Sequence, residues 1–303
     1  MRSGRAKVLH EVGGRALLDY VLAALEPLEP AHLVVVVGHL RQQVEAHLSG
    51  RGVVFAVQEP PRGTGDAVGR ALARLPEDGE GLVVSGDVPL LRSATLSSLV
   101  ELRRSRGAAA ALVTAVLPQP GTYGRVVRSE AGDVVGIVEA GDATEEQRAI
   151  REVNGGTYVF ELPALRGALA RLEPDNAQGE YYLTDVVGIL AAGGMKVAGL
   201  RLDDPGEMAG VNSRADLAEV HRALNLRTVR QLQEAGVTVL DPLTTWVDGD
   251  CAVGADTVLE PGVHLRRGCM IGSGCRIGAH SVLEGVTVPD NGVVAPLTCR
   301  RGT

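Results

Sequence analysis

Val247, Val253, Leu259, Leu265, Ile271, Ile277 and Leu283 stand six residues apart, and all are aliphatic. Two positions before each next one lies a compact residue: Cys251, Thr257, Val263, Cys269, Cys275 or Ser281. Glycine is dense between them. An apolar period of six is neither the 3.6 of a helix nor the 2 of a sheet strand; it is the period of hexapeptide repeats, which coil into a parallel β-helix. Each side of a coil is a short strand whose aliphatic residue points to the axis. The register would need an apolar residue at Pro289 and does not find one, so the pattern predicts little more than two triangular coils.

The first two thirds have another texture. Leu18, Val21, Leu22 and Leu25 lie at i, i+3, i+4, i+7, one face of a helix. Leu33–Val37 is a β-branched run suited to a strand buried on both faces. Val53–Val57 and Leu82–Val84 are further strands, with a helical face at Val68, Ala71, Leu72 and Leu75 between them. Alternation of this kind predicts an α/β, doubly wound, Rossmann-like sheet. Arg125–Arg128 and Val134–Val138 flank a turn and read as a hairpin. A helix is expected near Thr184–Ala192. A longer one is expected over Ser213–Ala235, with Ser213 and Asp216 as a capping box and Gly236 as its stop. The organisation is thus a domain over 1–212, a linker helix over 213–240 and a partial β-helix over 241–303.

Composition narrows the function. Aromatics are 3% of the 303 residues, so Val, Leu, Ala and Ile must build the cores. The net charge is −7 with no basic tract, which argues against a protein that coats nucleic acid. No apolar run is long enough to span a bilayer, and the N-terminus carries no secretory pattern. The four cysteines lack CxxC spacing; three sit on the compact repeat position and should pack inside it.

Three segments suit phosphate chemistry. A basic stretch from Met1 to His10, containing Lys7, leads into a helix. Gln58-Glu-Pro-Pro-Arg-Gly63-Thr64-Gly65-Asp66 leaves a strand and opens a helix, whose first N–H groups can face an anion or a base edge. Glycine there allows close backbone approach; a glycine-rich turn without a ligand is the other reading. Ser85-Gly86-Asp87 ends a strand, where open α/β sheets bind ligands. A carboxylate at that point can hold Mg²⁺ with phosphate oxygens.

Read with Gly121-Thr-Tyr-Gly124-Arg125, Gly136-Ile-Val-Glu139, Glu152-Val-Asn154-Gly, Asn176-Ala-Gln-Gly-Glu-Tyr-Tyr182-Leu-Thr184-Asp185 and Gly210-Val-Asn212-Ser-Arg, the chain resembles a known family. It is similar to the bifunctional N-acetylglucosamine-1-phosphate uridyltransferases and glucosamine-1-phosphate acetyltransferases. The match runs from the first residue to roughly Leu283. The resemblance implies transfer of uridylyl from UTP to N-acetylglucosamine 1-phosphate, with pyrophosphate leaving, in the cytoplasm on the route to peptidoglycan and cell wall. Lys7 and Asp87 would be catalytic. Lys7, Gln58, Gly63 and Thr64 would bind UTP. Gly124, Glu139, Asn154, Tyr182 and Thr184 would hold the N-acetyl sugar, and Asp87 with Asn212 would bind Mg²⁺. A homotrimer through the β-helix is a further implication, with no membrane or nucleic-acid partner.

The chain departs from the family at both ends. The family opens with a buried strand and a glycine-rich phosphate loop ahead of the point matched by Met1; without them the sheet should show unpaired edges. The residues that serve acetyl transfer find no match, so no acetyltransferase activity is expected. Pro61, Gly141 and Gly155 replace a common Gln, Lys and Thr. Two other functions remain open: a different sugar-1-phosphate nucleotidyltransferase, and a non-catalytic remnant that binds a sugar nucleotide.

Overall fold

The computed structural model describes residues 1 and 3–302. Arg2, part of the basic N-terminal stretch, and Thr303 lie outside the described residues. Two compact units are present. The larger holds residues 3–9 and 18–210; the smaller holds Met1, His10–Leu17 and residues from Val211 onward.

A short antiparallel pair, β1 (Glu11–Val12) and β2 (Arg15–Ala16), comes first. Then follow α1 (Leu17–Leu25), β3 (Val34–Val37), α2 (Arg41–His47), β4 (Val54–Val57), α3 (Thr64–Leu72), β5 (Glu80–Val83) and α4 (Ser93–Arg106). The larger unit continues with β6 (Ala110–Val116), β7 (Arg125–Arg128), β8 (Val134–Val138), α5 (Glu145–Arg148), β9 (Glu152–Glu161), α6 (Leu162–Leu169), α7 (Leu183–Ala192) and β10 (Val197–Arg201). The expected alternation is present, and so is the hairpin of β7 and β8.

The main sheet is mixed. β6 pairs parallel with β10 and antiparallel with β9, which also receives β5 and β7 antiparallel. Helices cover both faces, and the alternation of β6 shows how. Ala111 and Val113 pack with Leu99 of α4, while Ala110 and Leu112 pack with Leu165 of α6 and Val186 and Val187 of α7. Every residue from Ala110 to Ala115 is buried, which explains the unbroken small and apolar run there. Helix α4 ends on Gly107 in the left-handed region, with Arg103, Arg104 and Arg106 in a last turn where cations oppose the helix dipole.

The first strands depart from a continuous parallel sheet. β3 and β4 pair with each other, in parallel, as a separate two-stranded sheet. Among the described residues β5 pairs with β9 alone. Among the described residues, one edge of β3 and one edge of β5 therefore carry no strand partner.

The smaller unit carries α8 (Arg214–Glu234). Ser213 caps it: its hydroxyl accepts from Asp216 N–H, while the Asp216 carboxylate takes the Ser213 N–H. The β-helix follows as three stacks of parallel strands. Thr238–Val239, Val258–Leu259, Arg276–Ile277 and Val293–Val294 form one. Trp246–Val247, His264–Arg266, Val282–Glu284 and Cys299–Arg301 form the second. Ala252–Val253, Met270–Ile271 and Thr287–Val288 form the third. Two coils were too few: stacking continues past Leu283. The reason is a single five-residue step. Val288 replaces the position that strict period six assigned to Pro289, and Val294 then resumes the register; both are buried. Thr257, Cys269, Cys275 and Ser281 fill the compact positions with at most 1% exposure. Cys251 is half-buried and Cys299 exposed, and all four thiols are free. Burial pushes the Cys251 thiol up to about 12.

Candidate active site

Lys7 starts a 3₁₀ turn over Lys7–Leu9, and Asp87 follows the end of β5. Eighty positions apart in sequence, they meet: Lys7 Nζ donates to Asp87 Oδ2 at 2.5 Å. The Asp87 side chain is 17% exposed against 40% for Lys7, so the carboxylate is the more buried partner and the cation offsets its charge. Lys7 lines a cavity together with Thr64, Glu139, Asn154 and Thr184. Five residues predicted from scattered motifs therefore share one space.

The turn after β4 is locked from within. Gln58 Nε2 donates to Gly63 O and to Asp66 Oδ2, each at 2.9 Å. Gly63, at φ 102°, precedes α3. A Cβ on it would stand 2.5 Å from the Tyr181 carbonyl oxygen. Glycine is thus required here by the neighbouring loop, whereas the sequence suggested close approach to a ligand. That loop is zipped onto the turn. Tyr181 N–H donates to Arg62 O at 2.8 Å, Gly65 N–H to Tyr181 O at 2.7 Å, and Leu183 N–H to Thr64 Oγ1 at 3.0 Å. Asn176 shapes the same loop, accepting from Gln178 and Glu180 N–H, and Asp142 ties it down by accepting from Ala177 N–H.

On the other side, Glu139 follows β8 and accepts from Thr184 Oγ1 at 3.0 Å. Thr184 is buried, in the first turn of α7. Desolvation raises the Glu139 pKa, and the carboxylates of Asp185 and Asp142 raise it further. Asp185 is raised by burial and by Asp142. Tyr182, the residue before α7, is raised by desolvation and by the same carboxylates. Asn154 is 9% exposed; its amide donates to the Tyr158 hydroxyl at 2.6 Å and accepts from Gly156 N–H at 3.1 Å. Gly124 lies against this group: a Cβ there would reach Ile137 at 2.9 Å and the Glu139 carboxylate at 3.3 Å. Its carbonyl accepts from Asn154 N–H.

Asn212 belongs to the smaller unit, two residues before α8, and its N–H donates to Asp216 Oδ2 at 2.8 Å. The structure adds residues that sequence reasoning did not single out: Tyr158, Asp142, Asp66 and Asn176. Asp66 and Asn176 lay inside quoted motifs, which was the available signal.

A mixed sheet covered by helices on both faces, with a cation–carboxylate pair beside a strand end, is an α/β unit of the kind that binds ligands beyond its strand ends. Residues 1–156 match the MobA-like NTP transferase domain, and the chain belongs to that family; residues 250–285 match six bacterial transferase hexapeptide repeats. The chain is similar to proteins named "Bifunctional protein GlmU". It is 47% identical over 303 residues to that of Mycolicibacterium gilvum, covering 97% of this chain and 61% of the relative. It is 46% identical over 307 residues to that of Thermobifida fusca, covering 99% and 63%. For Mycobacterium tuberculosis the identity is 45% over 302 residues, covering 97% and 61%. The chain thus spans less than two thirds of the length of these curated relatives.

Proposed function

We propose that this protein is a sugar-1-phosphate uridylyltransferase that joins UTP to N-acetylglucosamine 1-phosphate. The carrying observation is the meeting of Lys7 and Asp87 at a cavity that Thr64, Glu139, Asn154 and Thr184 also line. A phosphate oxygen of the sugar 1-phosphate attacks the α-phosphorus of UTP. The bond to the bridging oxygen breaks, and pyrophosphate leaves with that oxygen. No protein nucleophile is needed, so positioning and charge neutralisation do the catalytic work.

In this reading Lys7 neutralises triphosphate charge, and Gln58, Gly63 and Thr64 form the uracil side. Gly124, Glu139, Asn154, Tyr182 and Thr184 hold the N-acetyl sugar. The carboxylate of Asp87 is a hard oxygen donor, which suits Mg²⁺ shared with substrate phosphates; the family resemblance alone adds Asn212 as a second ligand. The ion supplies charge compensation on phosphate oxygens when bound. Asp87 fits that role: it is a partly buried carboxylate beside the Lys7 ammonium. Trimerisation through the β-helix belongs to the same proposal.

The test is pyrophosphate release by the purified chain with UTP and N-acetylglucosamine 1-phosphate, with Mg²⁺ or with EDTA. Metal-dependent release is expected, with glucose 1-phosphate and dTTP much poorer substrates. Preference for those two would establish the rival nucleotidyltransferase. A folded protein that binds UDP-N-acetylglucosamine without turnover would establish the binding remnant.

A further inference from the structure

Asn154 and Tyr158 lie four residues apart on β9, a separation of about 13 Å along a regular strand. They meet all the same, because the backbone between them is gathered up. β6 advances two residues, from Leu112 to Thr114, while β9 runs back four, from Tyr158 to Asn154. The surplus is the bulge at Gly155-Gly156, where Gly156 takes φ 70°. It brings the Asn154 amide to the Tyr158 hydroxyl at 2.6 Å.

The direction of that bond is set by the backbone. Gly156 N–H donates to Asn154 Oδ1 at 3.1 Å, and an N–H can only donate. Oδ1 is therefore the end held by Gly156, and Nδ2 is the end that donates to Tyr158. The phenolic oxygen accepts. Its own hydrogen has no acceptor among the described residues, although Tyr158 is buried. Stability alone does not call for such a hydroxyl. Tyr158 stacks on Phe160 with ring centroids 5.6 Å apart, and a phenylalanine would pack there without burying a donor. What the hydroxyl secures is the Asn154 side chain. The main-chain N–H of Asn154 is already tied to Gly124 O, so the bond to Tyr158 leaves the amide one orientation. Each end of that amide keeps one further hydrogen-bonding position, in a residue that lines the same cavity as Glu139 and Thr184.

We propose that Tyr158 is a positioning residue for sugar recognition: by accepting from Asn154 it holds the amide so that its remaining N–H and its remaining lone pair meet the sugar together. Neighbouring hydroxyls of a sugar offer one donor and one acceptor, which answer both ends of a fixed amide. A mobile amide must first be ordered, and affinity falls by that cost. The inference rests on the sugar role given to Asn154 in the proposed reaction.

The test is steady-state pyrophosphate release by wild type, Tyr158→Phe, Asn154→Ala and the double variant. For Tyr158→Phe, KM for N-acetylglucosamine 1-phosphate should rise about three- to tenfold, the scale of one neutral hydrogen bond, while KM for UTP stays level. In the double variant Tyr158→Phe should add nothing to Asn154→Ala, because it acts through that residue. The Asn154 side-chain amide, assigned by its loss from the nitrogen-15 spectrum of Asn154→Ala, should exchange with water faster in Tyr158→Phe. An unchanged sugar KM would overturn the proposal, as would equal rises in both KM values, additive losses in the double variant, or unaltered amide exchange. A wild type that releases no pyrophosphate would instead overturn the proposed reaction. Calorimetric Kd for UDP-N-acetylglucosamine then carries the same comparison: weaker binding by Tyr158→Phe supports the positioning role, equal binding overturns it, and no binding by wild type overturns both.

Discussion

At the residue scale, Glu139, which the proposal sets against the sugar, shows how a charged group is held against its own stability. Its carboxylate is desolvated and faces Asp185 and Asp142, so its pKa lies above the ordinary value. A raised carboxyl pKa means the folded state takes up the proton more readily than the unfolded chain. The resulting stability is present below the unfolded pKa and is lost as pH rises through the folded value. Glu139→Gln keeps an acceptor for Thr184 and removes the charge. We expect Tm at neutral pH to stay level or rise, and the stability gain on acidification below neutrality to shrink, both read by scanning calorimetry across pH. Turnover should nevertheless fall by about ten- to a hundredfold, the scale of losing a hydrogen bond to a charged group. Gly63 makes the opposite case, a position governed by packing. Gly63→Ala places a Cβ against the Tyr181 carbonyl at a φ that disfavours side chains. A loss of about 1–3 kcal/mol in urea unfolding is expected, with the 176–182 loop opening first in hydrogen exchange.

At the element scale, the β-helix is a stack in which each aliphatic residue rests on the one a coil below. Ile277 is fully buried and pairs in register with Leu259 and Val294. Ile277→Ala should cost about 2–5 kcal/mol, measured by chemical denaturation, since neighbouring coils are tied by backbone ladders and cannot collapse onto the cavity. The same ladders explain why the stack survives the irregular step before Val288. Parallel pairing joins residues one coil apart, so a loop at a corner can shorten by one residue without shifting the strands around it. In the larger unit, an irregularity of the same kind hid a contact. Between two paired positions β6 advances two residues, from Leu112 to Thr114, while β9 runs back four, from Tyr158 to Asn154. The bulge at Gly155-Gly156 breaks simple alternation, so nothing in the spacing announced that the Asn154 amide meets the Tyr158 hydroxyl. Gly155 belongs to this bulge by necessity, since a Cβ there would come within 2.8 Å of Val113.

At the scale of the whole molecule, burial orders the thiols. Cys299 is exposed, Cys251 half-buried with a raised pKa, and Cys269 and Cys275 are inside the coils. Alkylation at neutral pH should modify Cys299 rapidly and Cys251 slowly, with Cys269 and Cys275 reacting only when the β-helix opens. Peptide mass spectrometry after timed iodoacetamide exposure would read this order. Reaction of Cys275 at the rate of Cys299 in native protein would contradict the coil packing.

Periodicity and turn chemistry are local properties, so the sequence alone determined the two textures, the hexapeptide register through Leu283, the capped helix after Asn212 and the motifs that flank strand ends. Contacts across long separations are not local, and the tertiary structure decided them: Lys7 on Asp87, Thr184 on Glu139, the Tyr181 loop zipped to the Gly63 turn. It also decided which strands pair. A run of valines specifies a buried strand but not the neighbour that covers its edge, because edge partners are chosen by the packing of whole layers.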